Sequence, residues 1–178
     1  MKKKEYKHKN RLSAVLLLSL LLLSLCVYGA GRKRIDRSSV KHFDLKSYMG
    51  RWYELARFDH SFERGMTNVM TDYRLLDDGT VEVINIGMRD GKEHRAVGHA
   101  KPTDKAGLLR VSFFWIFYSD YNIMEMAQDG SWVLVGSRSP NYLWILSRTP
   151  TLPDSTMQHI IELARKRGYE VENLIIAK

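Results

Sequence analysis

Cysteine is almost missing from this chain: of its 178 residues only Cys26 carries a thiol. One cysteine excludes an internal disulfide, so the folded part must hold together by burial alone. Metal-ligand spacing is lacking too. The six histidines (His8, His42, His60, His94, His99 and His159) stand in no regular relation to Cys, Asp or Glu, and most fall in segments that read as loops. Solvated or locally bonded imidazoles are therefore expected, with no haem or metal centre. No Gly-x-Ser-x-Gly elbow surrounds Ser137 or Ser147, and there is no glycine-rich phosphate loop. No catalytic residue and no cofactor are indicated. A nucleic-acid-binding charge is also absent. The net charge is +8, but residues 1–30 supply +5 of it through six Lys/Arg against Glu5, leaving +3 for the remainder. That is an ordinary value.

The basic start has another use. Lys2 to Arg11 precede an apolar run from Leu12 to Val27, and Tyr28-Gly29-Ala30-Gly31 follows. This is the layout of a signal peptide, with small residues placing cleavage near Gly29 or Ala30. The run is short of the roughly 20 residues that a spanning helix needs. An uncleaved anchor is the alternative, and either outcome exports the domain. Cys26 opens a further route. Bacterial lipoprotein signals place Leu three residues before the modified Cys and a small residue directly before it. Leu23 fits that pattern, whereas Leu25 is too bulky. Lipidation at Cys26 and its removal with the signal both stay open. Residues 1–30 are thus read as signal or anchor, 31–42 as a polar, mobile linker, and 43–178 as the domain.

From Phe43 onward, short strands alternate with turn signals. Asn68 to Leu75 alternates as a strand, Asp77-Asp78-Gly79 marks a hairpin, and Thr80 to Gly87 returns. Arg89-Asp90-Gly91-Lys92 turns the chain again into Glu93 to Lys101, ended by Pro102. Leu108 to Phe114, Tyr121 to Met126, Trp132 to Ser137 and Tyr142 to Ser147 complete eight strands, with Ser119-Asp120, Gln128-Asp129-Gly130 and Ser139-Pro140-Asn141 as separators. Near-regular strands and tight turns give an all-β meander, and eight such strands close into an antiparallel up-and-down barrel without free edges. One helix breaks the series. Pro153-Asp154 starts it, Met157, Ile160, Ile161 and Ala164 form its apolar stripe, and Lys166-Arg167-Gly168 ends it. Leu174 to Ala177 can pair back as a ninth strand.

The chain is organised around Tyr48 to Arg57. Gly50 suits a tight turn or close approach, and Trp52 supplies one large ring at an end of the barrel. By the two-residue period, Trp52, Glu54, Ala56 and Phe58 share one face, with Tyr53, Leu55 and Arg57 on the other. Gly50-Arg51-Trp52-Tyr53-Glu54 resembles the first signature of the lipocalin family. Asp59 to Gly65 resembles the loop that follows it in the bacterial outer-membrane branch, and Tyr142 to Pro150 resembles the last-strand signature. These three motifs fall in order between Phe43 and the C-terminus. The resemblance implies an eight-stranded barrel with a C-terminal helix. In it Gly50, Trp52 and Arg148 are structural, Arg148 lying over Trp52. The residues expected to contact ligand are Ala56, Asp72, Phe113, Trp115, Tyr142 and Trp144, and Arg57 and Arg74 are expected to meet an anionic headgroup at the mouth.

Val111 to Tyr118 (Val-Ser-Phe-Phe-Trp-Ile-Phe-Tyr) is apolar on both faces if it is one strand. Four readings stay open: a strand covered by the helix, a ligand-contacting rim, a membrane-facing lip, or a homodimer patch. The family pattern usually has Pro where Ile116 stands. The resemblance implies binding, transport or storage of one hydrophobic ligand, a fatty acid or lysophospholipid, at the bacterial cell envelope. Such a protein is not an enzyme and takes no cofactor. The rival readings are a membrane- or partner-docking module and a lipocalin-type enzyme.

Overall fold

The computed structural model describes residues 35–114 and 116–177. The signal, anchor and lipidation expectations, Cys26 among them, lie outside the described residues, as does Trp115. A single turn of helix, α1 (Leu45–Tyr48), leads into nine strands: β1 (Gly50–Phe58), β2 (Thr67–Leu75), β3 (Val81–Arg89), β4 (Lys92–Pro102), β5 (Leu108–Phe114), β6 (Phe117–Met126), β7 (Trp132–Gly136), β8 (Leu143–Ser147) and β9 (Leu174–Ile176). Helix α2 (Asp154–Lys166) stands between β8 and β9. Every strand from β1 to β7 pairs antiparallel with the next, and β8 pairs with β1, closing an eight-stranded barrel. β9 pairs with Ala56–Phe58 of β1, beyond the stretch Gly50–Tyr53 that pairs with β2.

Two apolar clusters follow from the strand alternation. One fills the barrel and includes Tyr48, Trp52, Tyr73, Val83, Leu109 and Leu146. The other lies on the outside of β1, β7 and β8, where Ala56, Leu134 and Ile145 meet Ile160 and Ala164 of α2. The helix therefore covers this wall. Gly168 ends α2 with φ +94, a left-handed conformation in which any other residue is strained.

Three expectations need correction here. Val111 to Tyr118 is two strands, not one. Phe114 pairs with Phe117, so the chain reverses between them, and Ser119 and Asp120 lie inside β6. A turn built from apolar residues carries no compositional mark. The same geometry removes the idea that the helix covers this stretch, because α2 packs elsewhere. Residues 35–42 are not a loose linker: Asp36 N–H donates to the Arg167 carbonyl, Val40 N–H to the Ile123 carbonyl, and the Arg167 guanidinium to the Ser38 carbonyl. The third correction concerns parity along β1. Glu54 faces Leu146 but Ala56 faces Ile145, so Leu55 is an extra residue and the strand bulges. Trp52 and Glu54 point inward, while Ala56 and Phe58 point out to α2.

Candidate functional site

One end of the barrel is plugged. Arg148 lies 3.8 Å from the centre of the Trp52 ring and donates to the carbonyls of Arg51 (2.9 Å) and Ser47 (2.8 Å). Trp52 Nε1 donates to the Tyr48 carbonyl, and the two rings stack at 5.0 Å. Gly50, with φ +90, lets β1 begin against that guanidinium. β1 runs from this plug toward the opposite end, where the loops 59–66, 90–91 and 137–142 and the facing ends of β5 and β6 gather around a mouth.

Below the mouth lies a cavity of about 580 Å³, wide enough for one small ligand. Among the residues expected to touch ligand, Phe113, Tyr142 and Trp144 line it together. Ala56 does not, because the bulge turns it toward α2. Nor does Asp72. It pairs with Arg51 across β1 and β2, and both sit on the outside in a bidentate salt bridge at 2.7–2.8 Å. The inward positions of β2 are its neighbours Thr71 and Tyr73. The two arginines assigned to the mouth are also elsewhere. Arg74 bonds Glu82 on the exterior, and Arg57 is buried, with both terminal nitrogens taken up by Glu54 and the carbonyls of Glu63 and Met66. The cations that do reach the cavity are Arg110 and Arg138, which share Asp120 at 2.6 and 3.2 Å.

Sequence reasoning missed a buried polar cluster on one wall. Glu54, Arg57, His60 and Glu63 are 5%, 3%, 6% and 4% exposed. Arg57 Nη1 donates to Glu54 Oε1 at 2.5 Å, and Nη2 donates to the Glu63 carbonyl at 2.9 Å. Trp144 Nε1 donates to Glu63 Oε2 at 3.1 Å. Burial, then the charge on Glu63, pushes the Glu54 carboxyl up to about 8 against the pull of Arg57. Burial also pushes Glu63 upward, but contacts from His60 and Trp144 with the charges nearby outweigh it and hold that carboxyl below its ordinary value. The readable signal was Glu54 itself, a carboxylate on the face of a buried Trp, which needs a partner. At the cavity floor, Tyr121 links Tyr48 and Tyr73 through hydroxyl contacts of 2.7 and 2.8 Å. Burial raises all three phenols, so they remain protonated.

The mouth is aromatic and open. Phe114, Ile116 and Phe117 at the β5–β6 hairpin are 69%, 75% and 76% exposed. Phe62, from the β1–β2 loop, packs on Phe113 with ring centres 5.3 Å apart. Among the described residues, no group of His, Cys, Asp and Glu is arranged to hold a metal ion.

A closed barrel plugged by an Arg–Trp contact, open at the other end onto an interior cavity, is the architecture of a hydrophobic-ligand binder. The comparisons agree. The Lipocalin-like domain family matches residues 43–178, and the chain belongs to it. It is 43% identical over 143 residues to the outer membrane lipoprotein Blc of Citrobacter freundii, covering 78% of this chain and 81% of that protein. To Blc of Vibrio cholerae it is 37% identical over 161 residues, 88% and 94% of the two chains. Its fold is that of insecticyanin from the tobacco hornworm Manduca sexta, with a TM-score of 0.64, 17% identity, and 80% and 84% of the chains covered.

Proposed function

We propose that this lipocalin binds and carries single-chain lipids, fatty acids or lysophospholipids, at the bacterial cell envelope. The observation that carries the reading is the cavity behind the open mouth, with Phe113 and Trp144 on its wall. The bacterial relatives, named outer membrane lipoproteins, support the location. The work is burial rather than chemistry. A 14-carbon chain at about 0.8 kcal/mol per methylene gains roughly 11 kcal/mol. Association costs at least about 4 kcal/mol, leaving an affinity on the order of ten micromolar before any headgroup contact. Arg110 and Arg138, which line the cavity beside Asp120, support a contact with an anionic headgroup.

Titration of the purified domain with a long-chain fatty acid or lysophospholipid is expected to quench tryptophan fluorescence saturably. Trp144→Ala should weaken binding roughly tenfold, since its half-buried ring is part of the wall. Unchanged affinity and signal in that variant would remove Trp144 from the site.

The exposed tip of Phe114, Ile116 and Phe117 supports a second reading, in which the mouth docks on a membrane or on a second copy. Anchoring is a separate question, decided at Cys26. Several acyl chains hold a protein on a membrane where one binds only marginally. If Cys26 is lipidated, wild type will sediment with membranes and Cys26→Ser will be soluble. Both variants in the soluble fraction with a mass loss mean ordinary cleavage near Gly29 or Ala30. Both on the membrane without a mass loss mean an uncleaved anchor.

A further inference from the structure

The polar wall of the cavity does not fit the carboxylate end of a fatty acid. Glu54 and Glu63 both line it, whereas Arg57, the one fixed cation among them, does not. That guanidinium is committed to Glu54 and to the carbonyls of Glu63 and Met66. Two carboxylates thus meet one cation, and the cluster is short of one positive charge. A proton supplies it in the free protein; a ligand can supply it instead. An entering carboxylate would set a further anion beside Glu63 in a largely buried wall, where like charges repel strongly.

A second, independent observation comes from His60. It borders the cavity and is 6% exposed, yet neither ring nitrogen has a well-aligned partner. Nε2 approaches Glu63 Oε2 to 3.1 Å off the line of a hydrogen bond, and Nδ1 has no protein partner. An imidazole that turns an Nε2–H toward the carboxylate presents Nδ1 as an acceptor. Buried polar atoms without partners are rare, and at a cavity wall they point to a group that arrives with the ligand. The rings beside it favour a cation as well. His60, Tyr142 and Trp144 lie with ring centres 5.2–5.8 Å apart, and aromatic faces attract a desolvated cation.

Resting on the proposed function, we infer that the cavity accepts a long-chain amphiphile with a primary ammonium inside the barrel, seated against Glu54, Glu63 and His60. An ammonium has three N–H donors and no acceptor, the complement of this acceptor-rich wall. This site is distinct from the Arg110–Asp120–Arg138 group at the mouth, which suits an anionic headgroup.

The test compares three ligands with the same chain, dodecylammonium, dodecanoate and dodecan-1-ol, by calorimetry at neutral pH below their micelle concentrations. Dodecylammonium is expected to bind at least about tenfold more tightly than dodecanoate. Glu54→Gln leaves one carboxylate balanced by Arg57 and should bring dodecylammonium down to the affinity of dodecan-1-ol, abolishing that preference. Glu63→Gln, whose amide oxygen can still accept from Trp144, serves if the first variant does not fold. Dodecanoate binding as tightly as the ammonium, or a preference retained in the folded variants, would overturn the inference and leave the lipid-carrier reading intact. If none of the three chains binds, the proposed function fails, and this inference with it.

Discussion

Arg148→Ala is expected to lower the stability of the domain by about 2–4 kcal/mol without changing ligand affinity beyond about twofold. The cation–π contact with Trp52 contributes roughly 0.5–2 kcal/mol, and hydrogen bonds from a charged donor roughly 1.5–3 kcal/mol each, less where water competes. Truncation removes both at once. It also uncovers a ring that is otherwise buried and frees the carbonyls of Ser47 and Arg51 that hold α1 against the start of β1. For a domain of this size the melting temperature should fall by on the order of 10 °C. Ligand binding should persist, because neither Trp52 nor Arg148 lines the cavity. Arg148→Lys is expected to fall in between, since an ammonium keeps the charge but not the planar two-pronged donor. A variant with native melting temperature and altered ligand preference would move Arg148 from the frame of the barrel to its binding site.

That plug is also where the sequence was most readable, for a physical reason. Gly50, Trp52 and Arg148 each have a side chain, or lack one, with few structural uses, and the motifs around them lie in strands whose ends are marked by turns. The alternation of Tyr142, Trp144 and Leu146 was equally legible, because β8 is regular and its parity survives to Arg148. Legibility failed where one residue changes the count. The two-residue period carried Ala56 inward and Arg57 outward, and the bulge at Leu55 reverses both. Asp72 failed differently. Its place depends on its register against β1, where Arg51 pairs with Asp72 and Trp52 with Thr71. Such pairing is not local to either strand. The reversal between Phe114 and Phe117 was hidden because aromatic and β-branched residues mark a strand and not a turn. The Glu54–Arg57–His60–Glu63 cluster was hidden because it joins a strand to a loop whose path is fixed only by the fold.

Deleting Leu55 should be tolerated far better than deleting its neighbour Tyr53. Leu55 is the extra residue of β1: Glu54 faces Leu146 and Ala56 faces Ile145, which are consecutive on β8. Without it the pleat runs unbroken, and Trp52 and Glu54 still face the interior while Ala56 and Phe58 still face α2. The cost is the packing of one leucine side chain, about 2–3 kcal/mol, so the deletion and Leu55→Ala should lose similar stability. Tyr53 is a paired residue, set opposite Met70 of β2 and Ser147 of β8. When it is removed, Trp52 and Ala56 can keep their partners only if the bulge is used up. Leu55 then takes the inward place opposite Leu146 and Glu54 turns to the outside. Arg57 stays buried without the carboxylate it now bonds, a loss of about 3–5 kcal/mol for a broken buried pair. That consumes much of the roughly 5–15 kcal/mol that a domain has in total. The Tyr53 deletion is therefore expected to give insoluble protein, or a chain without a near-ultraviolet aromatic signal. A Leu55 deletion that fails to fold while Leu55→Ala folds, or a Tyr53 deletion that melts within a few degrees of Leu55→Ala, would show that the bulge does not set the facing of β1.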